Sequence, residues 1–140
     1  MEVAAARERF GQARSSRLAT VTANGAPHLV PICFVLTGDV VHSVVDGKPK
    51  RTARLQRLVN IEADPRVALL ADHYEDADWN RLWWVRAEGR ARVLEPDATE
   101  ATEAVERLAA RYAQYRTNRP AGPVLEVRVE RWSGWAAAAG

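Results

Sequence analysis

A short basic segment is the part of this chain whose residue types and spacing best suit chemistry, and that chemistry is anion binding. Its basic side chains are Lys48, Lys50, Arg51, Arg54 and Arg57. The segment follows a strand-like run at residues 40–45 and leads into a helix predicted over residues 52–63. Lysine and arginine supply positive charge, and the first N–H groups of a helix are unpaired donors. The sequence therefore predicts a phosphate site here, with a solvated basic helix face as the alternative.

Composition limits the partners that such a site can have. The chain has 140 residues, enough for one domain over residues 1–140, and its 20 basic and 18 acidic side chains leave a net charge of only +2. Nucleic-acid binding usually shows a longer basic stripe, and the acidic loop predicted over residues 72–80 opposes one. We therefore expect a small-molecule ligand and no nucleic-acid partner.

The sequence also indicates a compartment. No apolar run approaches the ~20 residues that cross a bilayer, and residues 1–4 do not begin a secretory signal. The single cysteine, Cys33, excludes an internal disulfide and is expected to be buried within the apolar run 32–36. We expect a cytoplasmic protein without a membrane partner.

The histidines and serines form no recognisable catalytic or metal centre. His28, His42 and His73 fall on different predicted elements and lack the spacing of metal ligands, so we expect no metal site. No serine lies in a nucleophile elbow, and no glycine-rich dinucleotide or Walker motif is present.

The five tryptophans suggest where a planar ligand would lie. Trp83 is expected in the core, whereas Trp79 and Trp84 occupy positions where a ring face can line a cleft. Trp132 and Trp135 fall near the C-terminus, and we expect a tail folded over apolar surface or a dimer contact there. An aromatic clamp on a planar ligand is the alternative for this pair.

Periodicity predicts a mainly β protein with flanking helices. The predicted strands cover residues 18–22, 27–36, 40–45, 67–71, 83–94 and 125–129, and the predicted helices cover 2–14, 52–63 and 97–115. Asn24-Gly25 predicts a type I′ turn between the first two strands. Strict alternation along 83–94 predicts one buried and one polar face. About six short antiparallel strands whose edges must be closed favour a small β-barrel.

The order of these motifs resembles the pyridoxamine-phosphate-oxidase-like split-barrel proteins. The resemblance rests on the hairpin at 18–31, the basic segment at 46–51, Leu-Val-Asn-Ile at 58–61, Asp-Pro-Arg-Val at 64–67 and Ala-Glu-Gly-Arg-Ala at 87–91. It covers residues 5–135 and implies a split β-barrel of the FMN-binding-protein type. Family members are homodimers with sites at the subunit interface, so the resemblance implies the same partner here.

Within that superfamily the chain is most similar to the actinobacterial deazaflavin-dependent oxidoreductases of subgroup B, which use coenzyme F420. Pyridoxamine phosphate oxidases place an arginine and a lysine on the second strand to hold the FMN phosphate, but residues 30–35 of this chain contain no basic side chain. The departure favours the deazaflavin and its polyanionic tail, with FMN as the alternative cofactor. The implied activity is hydride transfer to a small conjugated substrate, and a non-catalytic cofactor-binding protein is the other alternative.

The resemblance also assigns site residues by position. The deazaflavin ring would lie against Pro31, Ile32 and Cys33. The phosphate would be bound by Lys50, Arg51 and Thr52, and the tail would extend over Lys48, Lys50, Arg51 and Arg54. Asn60 would steady the junction between loop and helix. Trp79 and Trp84 would bound the substrate side, with Trp132 or Trp135 coming from a second subunit. Catalytic residues stay unassigned, because no residue is a compelling proton donor and His28 and Tyr74 are only weak candidates for that role.

Overall fold

The computed structural model describes residues 1–45 and 55–138, which fold into one antiparallel sheet with flanking helices. In chain order the elements are α1 (Val3–Gln12), β1 (Ser16–Val21), β2 (Pro27–Ile32), β3 (Val35–Thr37), β4 (Val40–Val44), α2 (Gln56–Ala63), β5 (Arg66–His73), a 3₁₀ turn (Trp79–Arg81), β6 (Trp83–Leu94), α3 (Thr99–Arg111), α4 (Ala113–Thr117) and β7 (Val124–Ala136). The predicted fold class, a mainly β barrel with flanking helices, is confirmed, although the described residues form seven strands and not six.

The strand order forces the sheet to roll up. The order is β2-β1-β5-β6-β7-β4-β3, so the two edge strands are consecutive in the chain. A flat sheet of that size separates its edges by about 29 Å. Ile32 and Val35 bound a connection of three Cα steps, which spans at most about 11 Å. The two edges must therefore come together, and the sheet closes into a barrel that is split between β2 and β3.

Alternation divides each strand between the barrel interior and its outer surface. Leu18, Leu69 and Ala87 are opposite one another on β1, β5 and β6, and all three are buried. Phe10 of α1 and Ile61 of α2 join the same core from opposite ends of β6. A second apolar cluster lies outside the barrel, where Leu108 of α3 packs against Val44 and Val124.

The gap between β2 and β3 is filled by a polar clamp from the end of α3. The Phe34 N–H donates to the Tyr112 hydroxyl at 3.2 Å, and that hydroxyl lies 3.0 Å from the Phe34 carbonyl oxygen and 2.9 Å from that of Arg14. The Arg111 guanidinium donates to the carbonyls of Phe34 and Ala13. Phe34 itself is fully buried. Backbone groups that neither β2 nor β3 can pair are thereby satisfied.

This clamp explains two differences from the predicted elements. The strand predicted over 27–36 is interrupted at residues 33–34, and the helix predicted over 97–115 is interrupted at Tyr112, which takes an extended conformation. Cys33 is exposed in this interruption, so the expectation that it is buried is wrong. Its neighbours Ile32 and Phe34 take the inward positions instead.

The first hairpin forms where Asn24-Gly25 predicted it, but with a different turn. The Gly25 N–H bonds to the Thr22 carbonyl, so Ala23 and Asn24 are the central residues and Gly25 follows with φ of 88°. The Thr22 hydroxyl also accepts the Ala26 N–H at 2.9 Å. These local bonds favour the longer turn over the predicted two-residue type I′ turn.

The last strand is longer than predicted. β7 continues to Ala136, which places Trp132 opposite Ala87 and Trp135 opposite Trp84. The expected folded-back tail is therefore wrong, whereas a dimer contact at this pair stays a prediction. The Trp132 indole N–H donates to Asp39 at 2.9 Å, and its ring packs edge-on against Phe10. A bulge beside Gly89 permits the extension, since a Cβ there would collide with the Arg128 carbonyl.

The clamp should be a measurable part of the stability of the fold. Replacing Tyr112 by Phe leaves the Phe34 N–H without its partner, so we expect the free energy of unfolding to fall by about 1–3 kcal/mol. Urea unfolding followed by tryptophan fluorescence measures the difference. Tyr74→Phe is the matched control, because that hydroxyl bonds only to exposed Asp76, and it should change stability little. Equal stability of Tyr112→Phe and wild type would contradict the assigned role of the clamp.

Candidate functional site

Among residues 1–45 and 55–138, a helix covers the outer surface of the barrel on one side only. α3 packs outside β4, β3 and β7. On the other side, the outward side chains of β2, β1 and β5 face solvent, and Leu29 and Leu70 are 66% and 38% exposed. We call this region the open face; its outward residues are Leu29, Pro31, Arg17, Ala19, Ala68 and Leu70. Large exposed apolar side chains grouped in this way are typical of a binding surface.

The predicted ring-contacting residues divide between the two sides of β2. Pro31 is exposed on the open face opposite Arg17. Cys33 is exposed at the end of the same strand, whereas the Ile32 side chain is buried in the barrel. Within the described ranges 1–45 and 55–138, β2 pairs with β1 alone, so one edge of its backbone is not used by the sheet there. A ligand on the open face therefore has the side chains of Pro31 and Cys33 and only the backbone of Ile32 within reach.

Asn60 is placed inside the protein, at the junction of α2 with the sheet. It is 1% exposed, donates to the Thr20 hydroxyl at 2.9 Å and accepts from the Gln56 amide at 2.6 Å. These contacts tie the first residue of α2 to β1. That Asn60 steadies the junction between the basic segment and α2, and thereby supports ligand binding, stays a prediction.

The two predicted substrate-side tryptophans are not side by side. Trp84 is half-buried between Asp72 and Trp135 on the neighbouring strands, with the Arg86 guanidinium 5.3 Å from its ring. Trp79 lies on the 3₁₀ turn and is 65% exposed. Trp84 shares the outward side of the sheet with Pro31, three strand spacings away, or about 14 Å. The open face and Trp84 thus form one continuous surface.

Most of the predicted phosphate site falls outside the described residues. This applies to Lys48, Lys50, Arg51, Thr52 and Arg54. The described member of the basic group is Arg57, the second residue of α2. Its guanidinium is half-buried and has no hydrogen bond or ion pair with any residue of 1–45 or 55–138. Burial lowers the pKa of Arg57, because no residue of 1–45 or 55–138 compensates the desolvated charge.

Sequence reasoning missed a buried polar group under α3. His42 and Glu126 are 4% and 7% exposed, and His42 Nε2 lies 3.0 Å from a Glu126 carboxylate oxygen. Arg92 donates to the other carboxylate oxygen at 2.8 Å, and Arg107 lies 3.4 Å from His42 Nδ1. The carboxylate fixes the Nε2–H tautomer, which leaves Nδ1 to accept from Arg107. Both ring nitrogens are engaged, so this histidine is structural and does not reach a substrate.

The electrostatics of this group favour a neutral histidine beside a charged glutamate. Burial lowers the pKa of His42 below its ordinary value, although the Glu126 carboxylate opposes the shift. Burial alone would raise the pKa of Glu126, but hydrogen bonds from Arg92 and His42 outweigh it and leave that pKa below its usual value. Four residues on four elements had to be brought together to form this group, which no local motif could indicate.

Comparison with known families identifies the class of protein. The family model described as pyridoxamine 5'-phosphate oxidase matches residues 3–136. The chain therefore belongs to the pyridoxamine 5'-phosphate oxidase family, which confirms the family-level resemblance. No curated protein matches the sequence significantly. Among the described residues, no helix is long and apolar enough to cross a membrane.

Solved structures show the same fold at low sequence identity. A conserved hypothetical protein from Mycobacterium tuberculosis superposes with a TM-score of 0.76 at 20% identity, covering 98% of this chain and 86% of that one. A FAD-binding protein from Mesorhizobium loti gives 0.71 at 17% identity, covering 96% and 94%. The heme storage protein HutZ from Vibrio cholerae gives 0.72 at 15% identity, covering 97% and 95%. At these identities the similarity establishes the fold.

The buried histidine makes stability depend on pH. In the unfolded chain His42 takes up a proton near pH 6.5, whereas in the folded protein its pKa is lower and it stays neutral there. The free energy of unfolding should therefore fall as pH drops below 6.5 toward the lowered pKa. One such group contributes a slope of at most about 1.4 kcal/mol per pH unit. Urea unfolding from about pH 7.5 to about pH 5 measures it. His42→Gln, which keeps a donor for Glu126, should lose this slope; an unchanged slope would show that His42 is not its source.

Proposed function

We propose that this chain is an oxidoreductase that binds the deazaflavin coenzyme F420 on the open face and transfers a hydride between it and a small conjugated substrate. The observation that carries the proposal is the half-buried guanidinium of Arg57, which has no partner in the described part of the chain and lies on the helix that follows the basic segment. A desolvated cation without a partner is costly, and an anionic ligand that pairs with it removes that cost. Membership of the pyridoxamine 5'-phosphate oxidase family supports a flavin-type ligand.

The absence of cations on β2 favours the deazaflavin over FMN. β2 carries Leu29 and Pro31 outward and Ile32 inward, and none of them can bind a phosphate. Anion recognition would then fall to Arg57 together with Lys48, Lys50, Arg51 and Arg54. A long polyanionic tail can contact several of these side chains, whereas the single phosphate of FMN can contact few. FMN remains the alternative cofactor.

The cofactor, when bound, supplies two-electron hydride chemistry at its ring. The protein's part is to orient the ring and exclude water. The open edge of β2 offers backbone groups to the polar rim of a ring, while Pro31 and Leu29 offer an apolar surface to its face. The outward half of Trp84 bounds the same surface on β6. No described residue on this face is an evident general acid, so we expect solvent to supply any proton.

The open face also supports the proposed homodimer. Leu29 and Leu70 expose large apolar side chains that no helix of the described residues covers, and Arg17, between Pro31 and Leu70, forms a loose ion pair of 3.8 Å with Asp72. A second copy that packs here would bury the apolar side chains, and the charge of Arg17 among them is offset by Asp72. The cofactor would then lie between the two copies.

Cofactor binding tests the proposed function directly. Fluorescence titration should show saturable, micromolar binding of F420, and Arg57→Ala should weaken it by about 1–3 kcal/mol, the scale of a charge-assisted hydrogen bond. Lys50→Ala and Arg51→Ala should weaken it by a similar amount. Because Arg57 is desolvated and pairs with no described residue, its removal should not lower thermal stability. Arg119→Ala, which removes an exposed partner of Glu106, is the control and should bind normally.

The same experiment separates the alternatives. Tight FMN binding without saturable F420 binding would establish the FMN alternative. Binding of reduced F420 without accelerated oxidation by any quinone, enone or tetrapyrrole acceptor would favour a non-catalytic cofactor-binding protein. Normal binding by all three variants would show that the anion binds elsewhere.

Dimerisation should depend on the open face. Leu29→Asp and Leu70→Asp place a charge at the centre of the proposed interface, so sedimentation velocity should show a dimer for wild type and a monomer for each variant. Both side chains are exposed in the single chain, so folding should be unaffected. Val3→Asp, at an exposed apolar position on α1, is the matched control and should stay dimeric. A monomeric wild type, or dimeric variants, would disprove this interface.

A further inference from the structure

A cavity of about 460 Å³ lies at the end of the barrel that α1 closes. Its wall combines the second half of α1, the 3₁₀ turn, the start of β6 and the end of β7. The lining residues are Arg9, Gln12, Ala13, His73, Asn80, Arg81, Leu82, Trp83, Ala136 and Ala138. The volume is in the range of small-molecule sites in proteins. Trp83 and Ala136 belong to the inward side of the sheet, so the cavity is separate from the open face.

The lining is suited to an anion. It contains two guanidinium groups, one imidazole and two amides, and no carboxylate. Glu75 stands behind the wall and bonds to Arg81 at 3.1 Å and to His73 at 3.0 Å. The bonds from His73 and Arg81 lower the pKa of Glu75, so its carboxylate is charged. The positive charge of Arg81 offsets that negative charge. The charge of Arg9 remains.

Arg9 is held in place without a charged partner. Its guanidinium carbon lies 5.3 Å from the centre of the Trp83 ring, and no described carboxylate forms an ion pair with it. A guanidinium that lies over the face of an aromatic ring uses none of its N–H groups in that contact, so these donors stay free in the plane of the guanidinium. Such a planar set of donors matches the two oxygens of a carboxylate.

A neighbouring cavity shows why the anion would bind in this one. That cavity, of about 760 Å³, lies on the other side of Arg9 and Gln12 and is also lined by Trp135. Glu2 and Glu8 are part of its wall, so an anion there would meet like charge. The cavity beside Trp83 carries the opposite sign.

We propose that the cavity beside Trp83 binds a small planar carboxylic acid. Arg9 receives the carboxylate, the N–H groups of Arg81 that Glu75 does not engage and the amides of Gln12 and Asn80 add hydrogen bonds, and Leu82 packs against the body of the ligand beside the Trp83 ring. The proposal rests on described residues alone and does not depend on a bound deazaflavin or FMN.

A purely structural role for Arg9 makes different predictions. Arg9 lies in the last turn of α1, where a positive charge stabilises the helix dipole, and its stem covers Trp83. Lysine would keep the charge and much of the cover, but not the planar pair of donors. Arg9→Lys therefore separates ligand binding from helix stabilisation.

Titration of the cofactor-free protein with benzoate tests the proposal. Benzoate should bind saturably and change tryptophan fluorescence, while its neutral analogue benzamide should bind at least ~10-fold more weakly. Arg9→Lys, Arg9→Gln and Arg81→Gln should each weaken benzoate binding by ~10-fold or more. Arg128→Gln, at an exposed position on β7 outside the cavity, is the matched control and should bind as wild type. Thermal unfolding checks that each variant is folded.

Several results would overturn the proposal. These are no saturable benzoate binding, equal binding of benzoate and benzamide, tighter binding of inorganic phosphate than of benzoate, or unchanged benzoate binding by both Arg9→Lys and Arg81→Gln. If Arg9→Gln fails to fold, Arg9→Lys and Arg81→Gln carry the test. Because the titration contains no cofactor, its outcome is independent of the F420 titration.

Discussion

The architecture depends on how the barrel is closed between β2 and β3. These strands end the sheet on opposite sides, yet only Cys33 and Phe34 connect them, so the sheet has to curl until its edges meet. The edges do not pair, and the backbone of Phe34 would be left unsatisfied without Tyr112 and Arg111. Buried backbone groups without partners are costly, which makes the end of α3 a requirement of the closure.

The closure also determines which surfaces are free to bind ligands. Because α3 must reach Phe34, it packs outside β4, β3 and β7 and buries the His42–Glu126 pair beneath it. The same placement leaves β2, β1 and β5 without a covering helix among the residues that the structure describes, with Pro31 and Cys33 exposed at the unpaired edge. The candidate cofactor surface is thus a consequence of where the barrel is closed.

Local sequence patterns were sufficient to predict most helices and strands, but not the features that depend on contacts between residues far apart in the chain. Alternation along residues 83–94 predicted the buried face of β6 from Val85 to Ala91, whereas Trp83 and Val93 are only partly buried and Leu94 is covered from outside by α3. The interruption at residues 33–34 depends on Tyr112, which lies 78 positions away, and therefore leaves no local signal. The family motifs located Pro31 and Trp84 on one surface, but Arg9 and Trp83 meet only through tertiary packing.

Partly buried arginines differ here in a way that bears on function. Arg111 donates to two carbonyls and holds the closure, and it stacks 4.9 Å from Phe34. Its pKa is lowered by burial, but its donors are used. Arg57 and Arg9 have no such partners among the described residues. The guanidinium of Arg57 is desolvated and that of Arg9 lies over the Trp83 ring, so each has N–H donors that an anion from outside the chain can engage. The two lie on different helices at opposite ends of the barrel, which argues for two separate anion sites.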